Sequence, residues 1–174
     1  GVILNDVLKP YQKNRIESLI NPSADPLGAG WNITQSKIAI GSGGFFGKGF
    51  LNGTQTRLDF VPEQSTDFIF SVVGEEFGFV GSLFLIFLYS LLLIRIVQLA
   101  ENQKDIFARV FGYSIFSVLT FHYMINIAMT LGMFPVIGIP LPFISYGGSS
   151  LLSFCLLLFV FMKLNSVQAS LLSR

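Results

Sequence analysis

FGFVGSLFLIFLYSLLLI, residues 77 to 94, decides the fold class. It runs for 18 residues without a charge. As a helix rising 1.5 Å per residue it covers about 27 Å, close to the hydrocarbon thickness of a bilayer. Working outward, the helix extends back to about Thr66, where its start is amphipathic, and forward to about Ala100. A second apolar segment is expected at about 107–131 and a third at about 149–164. Between Val110 and Met162 there is no Asp, Glu, Lys or Arg. A span that long reads as two crossings joined by an apolar loop.

Composition agrees. The 174 residues are 52% hydrophobic and only 12% charged, against roughly 25% charged in ordinary globular domains. Mean hydropathy is +0.66. A net charge of +1 gives no reason to expect nucleic acid. The lone Cys155 excludes an internal disulfide or a cysteine zinc site. Residues 1–66 are expected to form an extracytoplasmic loop region with amphipathic and short helices, and residues 67–174 the membrane domain. The chain begins with Gly, and its first residues resemble the end of a helix, so further chain is expected before it.

Lys and Arg fix the expected orientation. Arg95, Lys104 and Arg109 cluster between the first two crossings, and Lys163 and Arg174 follow the third. That places the 95–109 connection and the C-terminus in the cytoplasm. The 10–66 region and the 132–148 loop are then outside. The latter holds Pro135, Pro140 and Pro142 with four glycines. It cannot be a straight helix, and irregular backbone at that depth must pack against protein. It is expected to fold back onto the bundle.

Upstream, Tyr11–Ile20 is amphipathic and suits a membrane surface. Residues 31–40 are expected to be a short helix, with Asn32 and Gln35 at capping-box spacing. GSGGFFGKGFLNG, residues 41–53, carries six glycines. It fits neither a Walker A loop, because Ser42 and Gly49 stand where Gly and Ser/Thr are needed, nor a dinucleotide fingerprint, because Phe46 replaces Gly. A surface loop of another kind is expected, with Lys48 available to an anion.

LDFVPEQSTDFIF, residues 58–70, holds Asp59, Glu63 and Asp67. Ser65 and Thr66 are good caps, which would put Asp67 in the first helical turn. An acid there either complements the helix dipole or performs chemistry, and spacing leaves both open. Glu75 and Glu76 are expected to be interface acids with a neighbour on another helix. Gly74, Gly78 and Gly81 are expected to form a small face for helix packing. His122, Asn126 and Thr130 recur every four residues as a polar stripe facing other helices or a cavity.

Three runs carry a resemblance: DPLGAGWNITQSKIAIGSGGFFGKGF, GTQTRLDFVPEQSTDFIFSVVGEEFGFVG and GIPLPFISYGGSSLL. They resemble the SEDS family of shape, elongation, division and sporulation proteins, nearer its rod-shape branch than its division branch. The resemblance covers nearly the whole chain. It implies an all-α integral membrane protein, a polytopic helical bundle, with this chain supplying the C-terminal three transmembrane helices of a ten-helix fold and a large extracytoplasmic loop. It implies a multi-pass protein of the bacterial inner membrane that polymerises lipid II into peptidoglycan glycan strands during elongation and shape maintenance. The family's catalytic aspartate falls on Asp67, the general base. A His commonly stands two positions earlier, where this chain has Ser65. Glu63, Ser65, Thr66, Lys37 and Lys48 are the expected substrate-binding residues, the two lysines toward pyrophosphate. A divalent cation, Mg or Mn, is implied as a cofactor, although no residue set has metal-ligand spacing. The implied partners are lipid II, undecaprenyl-pyrophosphate-linked glycan, a class B penicillin-binding protein and membrane lipids. Alternative readings are a lipid II flippase and a non-enzymatic scaffold for the penicillin-binding protein. Three crossings cannot enclose a site built from ten helices, so the isolated chain is expected to be inactive.

Overall fold

The computed structural model describes residues 15, 16, 19, 28–58, 60 and 63–172. Among these the chain is all-helical, without strands. We label the elements α1 (Ala29–Ser42), α2 (Thr54–Arg57), α3 (Ile69–Glu101), α4 (Ile106–Thr130) and α5 (Gly148–Leu172). The expectations for residues 1–10, for Asp59 and for most of Tyr11–Ile20 lie outside the described residues. Of that last stretch Arg15, Ile16 and Leu19 are described and helical.

Three helices are long and apolar enough to cross a membrane: α3, α4 and α5 as far as Ser166. They meet in a core of Leu93, Ile96, Ala100, Ile115, Leu119, Phe154 and Phe161. Asp105 accepts from Ala108 N and starts α4. Gln103 ties the α3–α4 connection to α5 through Asn165 Oδ1, at 2.8 Å. The outward faces of α3 and α5 remain apolar and exposed, as at Phe84, Phe87, Leu152 and Phe159. That pattern suits hydrocarbon or further helices.

α1 starts earlier than expected. Its N-cap is Gly28, with no side-chain bond, so the Asn32–Gln35 capping box does not form. Asn32 lies inside the helix, and Gln35 faces the core, 9% exposed. Ser36 Oγ donates to Thr130 O at 2.8 Å and docks α1 on α4.

α3 also starts later than expected, at Ile69 after an N-cap at Phe68. Asp67 is therefore not in its first turn. α3 is broken at Gly78, where φ is 67° and ψ −159°. In an unbroken helix Phe79 N and Val80 N would donate to Glu75 O and Glu76 O. Instead the glycine-rich segment is spliced into the ladder. Lys48 N and Gly49 N donate to Glu75 O and Glu76 O, both at 3.0 Å, while Phe79 N and Val80 N donate to Gly44 O and Phe45 O at 2.9 and 3.1 Å. Residues 41–53 are thus not a free surface loop, and Gly78 is not a helix-packing residue. A Cβ on Gly47 would lie 2.1 Å from Glu76 O, and one on Gly78 would lie 2.3 Å from Gly47 N. Only glycine permits this approach, and only glycine adopts the Gly78 conformation without strain.

Candidate active site

Asp67 lies in a tight turn, residues 63–68. The amides of Thr66, Asp67 and Phe68 all donate to Glu63 O, at 3.2, 3.1 and 3.2 Å. Glu63 takes φ 53° to allow this. Two other elements pin the turn. From α4, Asn126 Nδ2 donates to Asp67 O at 2.8 Å and to Ile139 O at 2.7 Å. From the 132–148 loop, Ser145 Oγ donates to Thr66 O at 2.5 Å, and Tyr146 N donates to Ser65 O at 2.8 Å. Leu141 N donates back to Ser145 Oγ at 2.7 Å. The loop does fold onto the bundle, and Val136 packs on Ala39 and Phe68.

The bonds that reach the turn, from Asn126, Ser145 and Tyr146, all engage the backbone of Asp67 or of a neighbour. Among the described residues the Asp67 carboxylate accepts no hydrogen bond. It lies against the loop backbone: a Cβ on Gly138 would be 3.1 Å from Asp67 Oδ2. Burial, and secondarily the Glu63 carboxylate, raise its pKa above the ordinary 3.8. The turn therefore fixes a half-buried carboxylate whose oxygens no described residue occupies.

The other expected site residues divide into two groups. Glu63, Ser65 and Thr66 share the Asp67 turn, and Thr66 Oγ1 donates to Glu63 Oε2 at 3.0 Å. Lys37, on α1, is exposed and reaches the loop beside them, since a Cβ on Gly132 would be 2.6 Å from its Nζ. Lys48 belongs to a second cluster. Its ammonium donates to Glu75 Oε1 at 2.8 Å and to Thr54 Oγ1 at 2.7 Å.

Sequence reasoning missed Arg15 and how fully Glu75 is engaged. Arg15 Nη1 donates to Val136 O at 2.8 Å, which adds an exposed cation to the loop that abuts Asp67. Its partner is 121 positions away, and no local pattern signals it. Glu75 is fully buried and gathers donors from the 48–56 segment. The expected neighbour on another helix is present: it is the short α2, joined by Lys48 of the spliced segment. Glu76 is also buried, at 6%, beside a cleft it shares with Thr56 and Arg57. The polar stripe of α4 splits. Asn126 serves the turn, Thr130 meets α1 only through its carbonyl while its hydroxyl donates to Ile127 O, and His122 meets the Phe154 ring edge-to-face at 5.1 Å.

An apolar cleft of about 340 Å³ lies between α1, α3 and α4. Ile40, Phe70, Phe79, Leu83, Ile127 and Leu131 line it. Among the described residues no group of three or more His, Cys, Asp or Glu could hold a metal ion.

Residues 2–170 match the family model FTSW_RODA_SPOVE, described as cell cycle protein. The chain is 44% identical over 162 residues to the peptidoglycan glycosyltransferase RodA of Treponema pallidum, covering 93% of this chain and 37% of that protein. It is 49% identical over 146 residues to the peptidoglycan glycosyltransferase MrdB of Escherichia coli K12, covering 84% and 40%. It is 43% identical over 151 residues to the stage V sporulation protein E of Bacillus subtilis, covering 87% and 40%. The chain thus spans about two fifths of the length of these relatives. Among solved structures it matches a chain from work on the structural coordination of polymerization and crosslinking by a peptidoglycan synthase complex. The TM-score is 0.75 at 33% identity, covering 95% of this chain and 45% of that one.

Proposed function

The chain belongs to the FtsW/RodA/SpoVE family, and from that premise we propose that it carries the catalytic base of a peptidoglycan glycosyltransferase. The observation that carries the proposal is Asp67: side chains of α4 and the 132–148 loop hold the backbone of its turn, and its carboxylate, which accepts no hydrogen bond among the described residues, is raised in pKa. A base is most effective when its pKa approaches the working pH, and burial moves a carboxylate in that direction. In the proposed reaction the 4-hydroxyl of an incoming lipid II sugar attacks the anomeric carbon of the growing strand. Asp67 takes the hydroxyl proton, the new C–O bond forms, and the bond to undecaprenyl pyrophosphate breaks.

Lys37 and Arg15, both exposed beside the same loop, are the proposed cations for the leaving pyrophosphate. Lys48 suits this less well, because Glu75 already neutralises it. Ser65 and Thr66 are proposed to line the acceptor sugar. A divalent cation, Mg or Mn, would supply further charge neutralisation. It commonly takes only one or two carboxylates together with phosphate oxygens, and Glu63 is the side chain that would hold it. The cleft between α1, α3 and α4 is apolar and suits a polyprenyl chain.

The wider proposal follows the relatives. It is a multi-pass inner-membrane protein of about ten helices, with the turn and the 132–148 loop outside and the C-terminus in the cytoplasm. It acts in elongation beside a class B penicillin-binding protein. The full-length protein and its partner in vesicles, given lipid II, separate this reading from a flippase. Polymerisation lost on Asp67→Asn supports the enzyme. Lipid II translocation by a wild-type protein that forms no glycan supports transport.

A further inference from the structure

We infer that Glu75 is a positioning residue: through α2 and Gln64 it holds the turn that carries Asp67. The inference rests on Asp67 as the base. A fully buried carboxylate in an apolar helix is costly unless it is paired and hydrogen-bonded. Glu75 is 0% exposed, and both its oxygens are engaged. Oε1 accepts from Lys48 Nζ at 2.8 Å, Gln55 N at 2.9 Å and Thr54 Oγ1 at 3.3 Å. Oε2 accepts from Thr56 N at 2.9 Å and Thr56 Oγ1 at 2.5 Å.

Most of these donors belong to α2, which is four residues long and has no side-chain cap of its own. A helix that short does not hold itself. Glu75 supplies what a local cap would, from a different helix. α2 then reaches the turn directly. Thr56 O accepts from Gln64 Nε2 at 2.9 Å. Gln64 follows Glu63, whose carbonyl gathers the three amides that shape the Asp67 turn. The path runs from Glu75 to Thr56, then Gln64, then the turn. Lys48 completes it by neutralising Glu75 and by donating its own amide to Glu75 O. Small displacements of a catalytic group lower turnover steeply, so this anchor is expected to set kcat.

The test uses the full-length protein with its partner transpeptidase and purified lipid II. Glu75→Gln is expected to lower kcat about tenfold or more with KM within about twofold, the mark of an effect confined to the transition state. Gln64→Ala cuts the same path without touching the buried charge, and is expected to give the same split. The double variant should be no slower than the slower single, because both act through one chain of contacts. Amide hydrogen exchange should rise at both 55–57 and 66–68 in Glu75→Gln, and at 66–68 alone in Gln64→Ala. Additive losses, full kcat in Gln64→Ala, or exchange in Glu75→Gln confined to 55–57 would each overturn the inference. Should Glu75→Gln fail to fold, Gln64→Ala still decides it by kcat and exchange. Polymerisation that survives Asp67→Asn in the same assay would instead sink the base assignment, while the exchange data still report on the anchor.

Discussion

At the scale of the residue, Asp67 is tuned in the direction a base needs, and this has a consequence for stability. Burial first, and Glu63 second, raise its pKa. A group with a raised folded pKa contributes stability that is full below its unfolded pKa and lost as pH rises through the folded value. At neutral pH the ionised Asp67 is therefore a cost to the fold. Asp67→Asn is expected to leave the thermal midpoint unchanged or slightly higher at pH 7 while polymerisation fails; a clear fall in the midpoint would mean that the carboxylate is structural. Asp67 stands out as a candidate from its place before the long apolar helix and its TDFIF neighbours. That its turn precedes the helix was not legible, because Ser65 and Thr66 are good caps and their carbonyls, not their hydroxyls, turn out to bind the 132–148 loop.

At the scale of the element, the break in α3 is the central device. The lengths of α3 and α4 followed from hydrophobic runs, since 3.6-residue periodicity and hydrocarbon thickness dictate them. The break did not, because Gly78 stands with Gly74 and Gly81 at the spacing of an ordinary packing face, and its partners stand some thirty residues earlier. Gly78→Ala should be severely destabilising. Its φ of 67° is costly for alanine, about 1–3 kcal/mol for such strain alone, and its Cβ would strike Gly47 N. Thermal unfolding in detergent should show a large drop; a wild-type midpoint would mean that the splice is not tight. Asn126→Ala tests the other anchor. It takes one donor from both Asp67 O and Ile139 O, and a buried carbonyl left unpaired costs roughly 1–3 kcal/mol. A loss of stability together with lowered turnover is expected, and turnover at the wild-type level would show that the α4 contact does not hold the turn.

At the scale of the whole molecule, the layout puts all the chemistry at one end of the bundle. The turn, α1, the spliced segment and the 132–148 loop meet there, while the charged α3–α4 connection lies at the other end of the same helices. Length and apolarity in the sequence made three membrane-length helices readable. They could not show how segments far apart in the chain assemble, because contacts such as Arg15 with Val136 leave no periodic trace. Orientation is open to a direct check. In a Cys155→Ser background, Glu101→Cys should label only from the cytoplasmic side and Met133→Cys only from outside. The reverse pattern would place Asp67 on the wrong face for lipid-linked glycan. The most direct measurement of the central claim is glycan-strand formation from lipid II by the full-length, partner-bound Asp67→Asn protein. Removing a general base typically costs about 10²–10⁴-fold, so strands should fall below detection at protein levels where the wild type makes them readily. Strand formation within a few-fold of wild type, by a variant shown to be folded, would contradict the account.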